Sequence, residues 1–236
     1  MIALVGVVSP RAGSTATYFA TCLSYTLADD RRVVLVDADM SGGTVADLLH
    51  LKTEGRSLAH LYGGDVRAIE VAELEAMAVP VPHRPNLRVV PGIESTYGNR
   101  TSWMLPPLDA ALKALSADVV VCDLGQALCY PGIESPSAEA EAICKVFQRV
   151  FVVTRDDPAL FARYIEVLRQ ARLPRAELVI TQSRHRRLGE SMAETMSRQV
   201  GDVPIRYVWP WDERRAAHMG DSGVPMTLRN VHQLGI

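Results

Sequence analysis

Residues 9–17 read Ser-Pro-Arg-Ala-Gly-Ser-Thr-Ala-Thr, a run of small and hydroxylated side chains whose natural chemistry is anion binding. Ala12, Gly13 and Ala16 leave room for backbone N–H groups to approach a phosphate, and a helix starting near Thr15 would add its unpaired N–H groups at the same point. Ser14, Thr15 and Thr17 supply hydroxyls, one of which could ligate Mg²⁺. A second chemical group is acidic. Asp37 and Asp39 end one apolar run and Asp123 ends another. Two carboxylates this close raise each other's pKa and need a cation or donors nearby, although either could simply cap the next segment.

These residues need elements to hold them. Runs rich in Val, Ile and Leu recur at 2–8, 33–36, 87–90, 119–122, 150–153, 178–181 and 205–208, each short and too uniformly apolar for a strand with one wet face. They read as central strands of a parallel sheet. Between them the apolar residues follow a helical period, as in Ala16, Phe19, Ala20, Leu23 and Leu27, and again in Leu160, Tyr164, Val167, Leu168 and Ala171. Strand and helix alternate throughout, which predicts an α/β fold: a doubly wound, mostly parallel sheet with helices on both faces, in a single domain over 1–236. Residues 52–107, punctuated by Gly63-Gly64, Pro80, Pro82, Pro85, Pro91-Gly92 and Pro106-Pro107, are the least regular part. In such a sheet ligands bind at the carboxyl ends of the strands, so the loop at 9–17 stands where a phosphate site belongs. Any α/β protein also needs a tight small-residue turn there, so the loop alone does not decide the matter.

The loop resembles the deviant P-loop of the ParA/MinD-type ATPases, Lys-Gly-Gly-x-Gly-Lys-Thr. Laid on it without gaps, Arg11 takes the first lysine, Ala12 and Gly13 the glycine pair, Thr15 the next glycine, Ala16 the P-loop lysine and Thr17 the metal-binding hydroxyl. Both lysines are missing. Three further segments are similar to the family at the expected intervals: Arg31–Leu49, with Asp-Ala-Asp at 37–39; Val119–Asp123, like the Walker B strand; and Val208-Trp209-Pro210-Trp211-Asp212, like the segment beside the adenine. The resemblance implies a P-loop NTPase-like fold and a nucleotide site, for ATP with Mg²⁺, formed by Arg11, Ala12, Gly13, Ser14, Thr15, Ala16, Thr17, Gln182 and Pro210. It implies metal contacts from Thr17, Asp37 and Asp123, and a catalytic role for Asp39 in orienting the attacking water. Thr181-Gln182 stand where the family has an adenine-reading asparagine, and Leu124-Gly125-Gln126 follow Asp123 in place of Thr-Pro-Pro. An alanine cannot screen the β and γ phosphates as lysine does, so binding and hydrolysis are both expected to be weak or absent.

Composition narrows the partners. Lys plus Arg number 25 against 27 Asp plus Glu, so the chain has no global field to hold nucleic acid or an anionic membrane. Arg184-His185-Arg186-Arg187 reads as a solvated turn rather than a DNA contact. The four cysteines lack zinc spacing and disulfide density and read as reduced thiols of a cytoplasmic protein. No stretch reaches the roughly 18 uninterrupted apolar residues of a spanning helix, and Met226–Ile236 has no cationic amphipathic pattern, so membrane contact would be at most peripheral. Trp209 and Trp211 could cover the core or pack on an adenine.

The resemblance implies a positioning or partitioning protein that acts as a homodimer, Arg11 reaching across to its partner. The atypical loop is similar to that of the TadZ/CpaE-like subgroup, which implies placement of pilus or secretion machinery. Two other readings remain open: an active ATPase that partitions DNA or cargo, and a scaffold that binds no nucleotide.

Overall fold

All seven apolar runs form strands in the computed structural model, which describes residues 2–62, 68–93, 101–129, 136–173, 176–183, 186–201, 203–210, 212–229, 231–234 and 236. They are β1 (Ala3–Val8), β2 (Val33–Asp37), β4 (Arg84–Val90), β5 (Val119–Asp123), β6 (Arg149–Arg155), β7 (Ala176–Ser183) and β8 (Ile205–Pro210). An eighth, β3 (Val79–Val81), completes a sheet of order β3-β4-β2-β5-β1-β6-β7-β8. Every pairing is parallel except β3 with β4. The sequence reading missed β3, which is three residues long with Pro80 at its centre; proline gives no ladder donor and is tolerated because this strand lies at the sheet edge.

The helices are α1 (Ala16–Leu27), α2 (Val45–Leu48), α3 (Val71–Met77), α4 (Thr101–Ala114), α5 (Pro136–Val146), α6 (Pro158–Ala171), α7 (Arg186–Val200) and α8 (Glu213–Ser222). Pro106 and Pro107, expected to punctuate a loop, lie inside α4, where their missing N–H groups forgo the bonds to residues 102 and 103. The helix is held by burial instead, with Leu105, Leu108 and Leu112 fully covered.

Alternation along the central strands divides the core into two layers. Leu4, Val8, Val120 and Cys122 face a cluster that includes Leu108, Ile143, Leu168 and Met196 of α4 to α7. Val5, Val7, Val119 and Val121 face the other side, with Phe19 and Leu23 of α1 and Met219 of α8. Both sheet faces are therefore dry, which is why the strands read as apolar runs rather than alternating ones. Parallel register then brings the acidic strand ends together. Val7 and Asp37 each stand opposite Asp123, and Val8 stands opposite Val152.

Candidate functional site at the β1–α1 loop

The loop after β1 is fastened by its own hydroxyls. The Ser9 N–H donates to Gly125 O at 2.8 Å, and the Ser14 hydroxyl donates to Arg11 O at 2.8 Å. Thr15 is the N-cap of α1 at φ 65°, the left-handed region, which costs a β-branched residue about 1–2 kcal/mol. Its hydroxyl lies 2.5 Å from that of Thr181, which in turn can donate to Thr154 O at 3.1 Å. The loop is thus stapled to the ends of β6 and β7. Thr15 makes no side-chain cap on α1, so the first N–H groups of that helix stay available to an anion.

The three sequence-selected carboxylates meet in different environments. Asp123 is fully buried; its Oδ1 accepts the Gly125 N–H at 3.0 Å and its Oδ2 has no hydrogen-bond partner. Burial raises its pKa to about 7, with the charge of Asp39 adding to the rise and the nearby Thr17 hydroxyl and the Gly125 N–H opposing it. Asp37 is also fully buried and titrates well above the usual carboxylate range, from burial first and then from Asp123. Its Oδ2 accepts the Val45 N–H at 2.9 Å, and any Cβ on Gly43 or Gly92 would meet its carboxyl group within 2.5–2.9 Å. Asp37 therefore anchors the segment leading into α2 and is absent from the cleft wall. Asp39 does reach that wall. It accepts the Ser41 N–H and hydroxyl at 2.9 and 2.6 Å, and it packs on Gly125, whose φ of 54° and lack of Cβ make the contact possible.

Of the three carboxylates only Asp39 lines the open cleft of about 310 Å³ beside the loop, whose wall is Ala12 through Tyr18 with Ser9, Asp39, Ser41, Leu48, Gly125 and Gln126; Asp123 lies buried behind it. Among the described residues no lysine or arginine lines the cleft, and Asp39 is the one charged side chain there. Arg11, expected as the remaining phosphate contact, is half-buried and does not line the cleft. A second cavity, of about 340 Å³, opens at the other end of β6 and β7 between Leu168, Leu173, Val200 and Val203, away from every residue of the loop. The smaller cleft is thus the candidate site.

A divalent cation fits this donor set. The unpartnered Asp123 Oδ2 is a buried hard oxygen beside the Thr17 hydroxyl, and Mg²⁺ commonly takes one or two carboxylates, completing its shell with water and phosphate. Among the described residues no group of three His, Cys, Asp or Glu side chains is placed to hold a metal alone. Base recognition is less developed. Gln182 and Pro210 fall near the ends of β7 and β8 with side chains outside the described part, and Trp211 and Arg184-His185 lie outside it altogether. Trp209 is 5% exposed, stacked on Tyr18 with ring centroids 5.3 Å apart and edge-on to Phe19 at 5.9 Å. It belongs to the core.

Tyr18, Ser41 and Leu48 carry no charge or spacing signal in the sequence and were not expected at the site, whereas Gly125 and Gln126, noted there only as a departure from Thr-Pro-Pro, also line the cleft. Among the described residues no helix is long and apolar enough to cross a membrane.

Searched against family models and curated protein sequences, the chain matches none. Solved structures are another matter. The ParA family ATPase of Chlorobium tepidum superposes with a TM-score of 0.72 at 18% identity, over 94% of this chain and 90% of that one. The septum site-determining protein MinD of Pyrococcus horikoshii, solved with Mg-ADP, gives 0.68 at 18% identity over 95% and 87%. A chain of the MinC:MinD cell division protein complex of Aquifex aeolicus gives 0.66 at 12% identity over 94% and 86%. With its sheet order, its β1–α1 loop and these superpositions, the chain has the P-loop fold of the ParA/MinD-type ATPases.

Proposed function

We propose that this chain is a ParA/MinD-like positioning or partitioning protein whose nucleotide site is degenerate, so that it works mainly as a dimeric partner-binding module, placement of pilus or secretion machinery being one use consistent with its atypical loop. The observation that carries the reading is the cleft itself: the loop, the start of α1 and Asp39 bound it, with Asp123 buried behind, and among the described residues no cation lines it. In that site Thr17 and Asp123 would hold Mg²⁺, which when bound neutralises charge on the phosphates. Backbone N–H groups of Ala16 and Thr17 bind the anion, and Asp39, held by Ser41, orients water. Without a lysine at position 16 the charge developing between β and γ phosphates is left largely uncompensated, and the loss of one preorganised donor costs about 2.7–4 kcal/mol of transition-state stabilisation. Binding weaker than micromolar and turnover near background follow.

Thermal denaturation with and without ATP and Mg²⁺, alongside an ATPase assay, tests this. A small rise in Tm at millimolar ATP with negligible turnover supports it, since ligand at 100 times Kd adds about 2.7 kcal/mol. Submicromolar ATP affinity or robust hydrolysis overturns it.

A further inference from the structure

Strand β6 runs past the end of β1. Val152 stands opposite Val8, the last residue of β1, and β6 continues to Arg155, three residues further, or roughly 10 Å at strand rise. That overhang lies alongside the β1–α1 loop and brings the Arg155 guanidinium to the loop, where Nη1 donates to Gly13 O at 3.5 Å. Arg155 also pairs in register with Thr181, the residue whose hydroxyl meets Thr15. One strand pair therefore holds both the loop and this cation.

We infer that Arg155 is the cation this site offers to the phosphates of a bound nucleotide, supplying from a neighbouring strand the charge that the loop has lost. The inference rests on the nucleotide reading above and assigns the recognition of phosphate within it. Three observations favour it. The phosphates of a nucleotide call for a cation, and among the described residues none lines the cleft. Arg155 forms no ion pair among the described residues, and the adjacent Asp157 carboxylate is taken by the Ala159 N–H at 3.0 Å as the cap of α6. Finally, the bond to Gly13 O is long and exposed, so a rotamer change exchanges a neutral carbonyl for a phosphate oxygen, and charge-assisted bonds of guanidinium to phosphate are roughly twice as strong.

Calorimetric titration of the full chain with ATP, ADP and inorganic pyrophosphate, each with Mg²⁺, tests the assignment. Arg155→Ala should weaken ATP and pyrophosphate binding about tenfold or more. Arg155→Lys should retain most of the affinity, and Arg163→Ala on the exposed face of α6 should match wild type. Ala16→Lys placed on Arg155→Ala should restore binding, because it returns the charge from within the loop. Wild-type binding that Arg155→Ala leaves within twofold overturns the role of Arg155 while sparing the nucleotide reading. No binding of ATP to the wild type at millimolar concentration overturns the nucleotide reading, and the inference with it.

Discussion

Replacing Asp123 by asparagine should stabilise the ligand-free protein at pH 8, and by less as the pH falls. The carboxyl group is fully buried with one oxygen unpartnered, and its pKa moves from 3.8 to about 7 on folding, chiefly through desolvation. Between those values the folded protein keeps a proton that the unfolded chain has released. Stability from this group is thus fully present below pH 4, declines as the pH rises and levels off above 7, opposite to a salt-bridged carboxylate. The full excursion is about 4 kcal/mol, of which about 2–3 kcal/mol falls between pH 5 and pH 8. Asparagine carries no such proton, and its Oδ1 can still accept the Gly125 N–H. Urea denaturation followed by circular dichroism at pH 5, 6, 7 and 8 should show the wild type losing about 2–3 kcal/mol relative to Asp123→Asn across that range. Mg²⁺, if it neutralises the carboxylate, should narrow the gap at pH 8. Parallel pH profiles for the two proteins would refute the reasoning, since they would mean that Asp123 is already solvated or paired.

Gly125→Ala should lower stability by at least about 2 kcal/mol in thermal denaturation, because the new Cβ would stand 2.1 Å from the Asp39 carboxylate at a φ of 54°; a change under about 0.5 kcal/mol would show that the contact relaxes freely. Trp209→Ala should cost about 3–5 kcal/mol in the same assay, as for a core aromatic, and a much smaller loss would place the ring at the surface. Arg11→Ala should shift a dimer towards monomer in sedimentation velocity if the loop face is the interface; an unchanged profile puts the interface elsewhere. Ala16→Lys should raise ATP affinity in calorimetry, and Asp39→Ala in that background should abolish any regained turnover while changing little in the wild type, a non-additivity that places both residues in one site.

Much of the scaffold could be read from the residues. The runs at 33–36 and 119–122 are apolar at every position because both faces of the sheet are covered, and this uniformity marks a central parallel strand before any contact is known. The short edge strand β3 and the proline-containing α4 were illegible for the converse reason: local propensity opposes both, and only partners distant in the chain make them worthwhile. Position 15 belongs with them. Nothing in a threonine announces a left-handed backbone, which the loop imposes and the Thr181 hydroxyl helps to hold.

For the site, the residues alone marked which side chains could act, because alternation of strand and helix puts the loop at 9–17 and the aspartates at 37, 39 and 123 at one edge of the sheet. What each aspartate does was decided by packing: Asp37 turns to the backbone of α2, Asp39 lies on Gly125 at the cleft wall, and Asp123 is left with an oxygen unpartnered. The same holds for charge. Neither Arg11 nor Arg155 lines the cleft, yet Arg155, about 140 residues away in the chain, touches the loop at Gly13 O, a contact that follows from the parallel register of β6 on β1. A strand's period says which way its side chains alternate; only its pairing with neighbours says how far it overhangs them, and so which residues its end can reach.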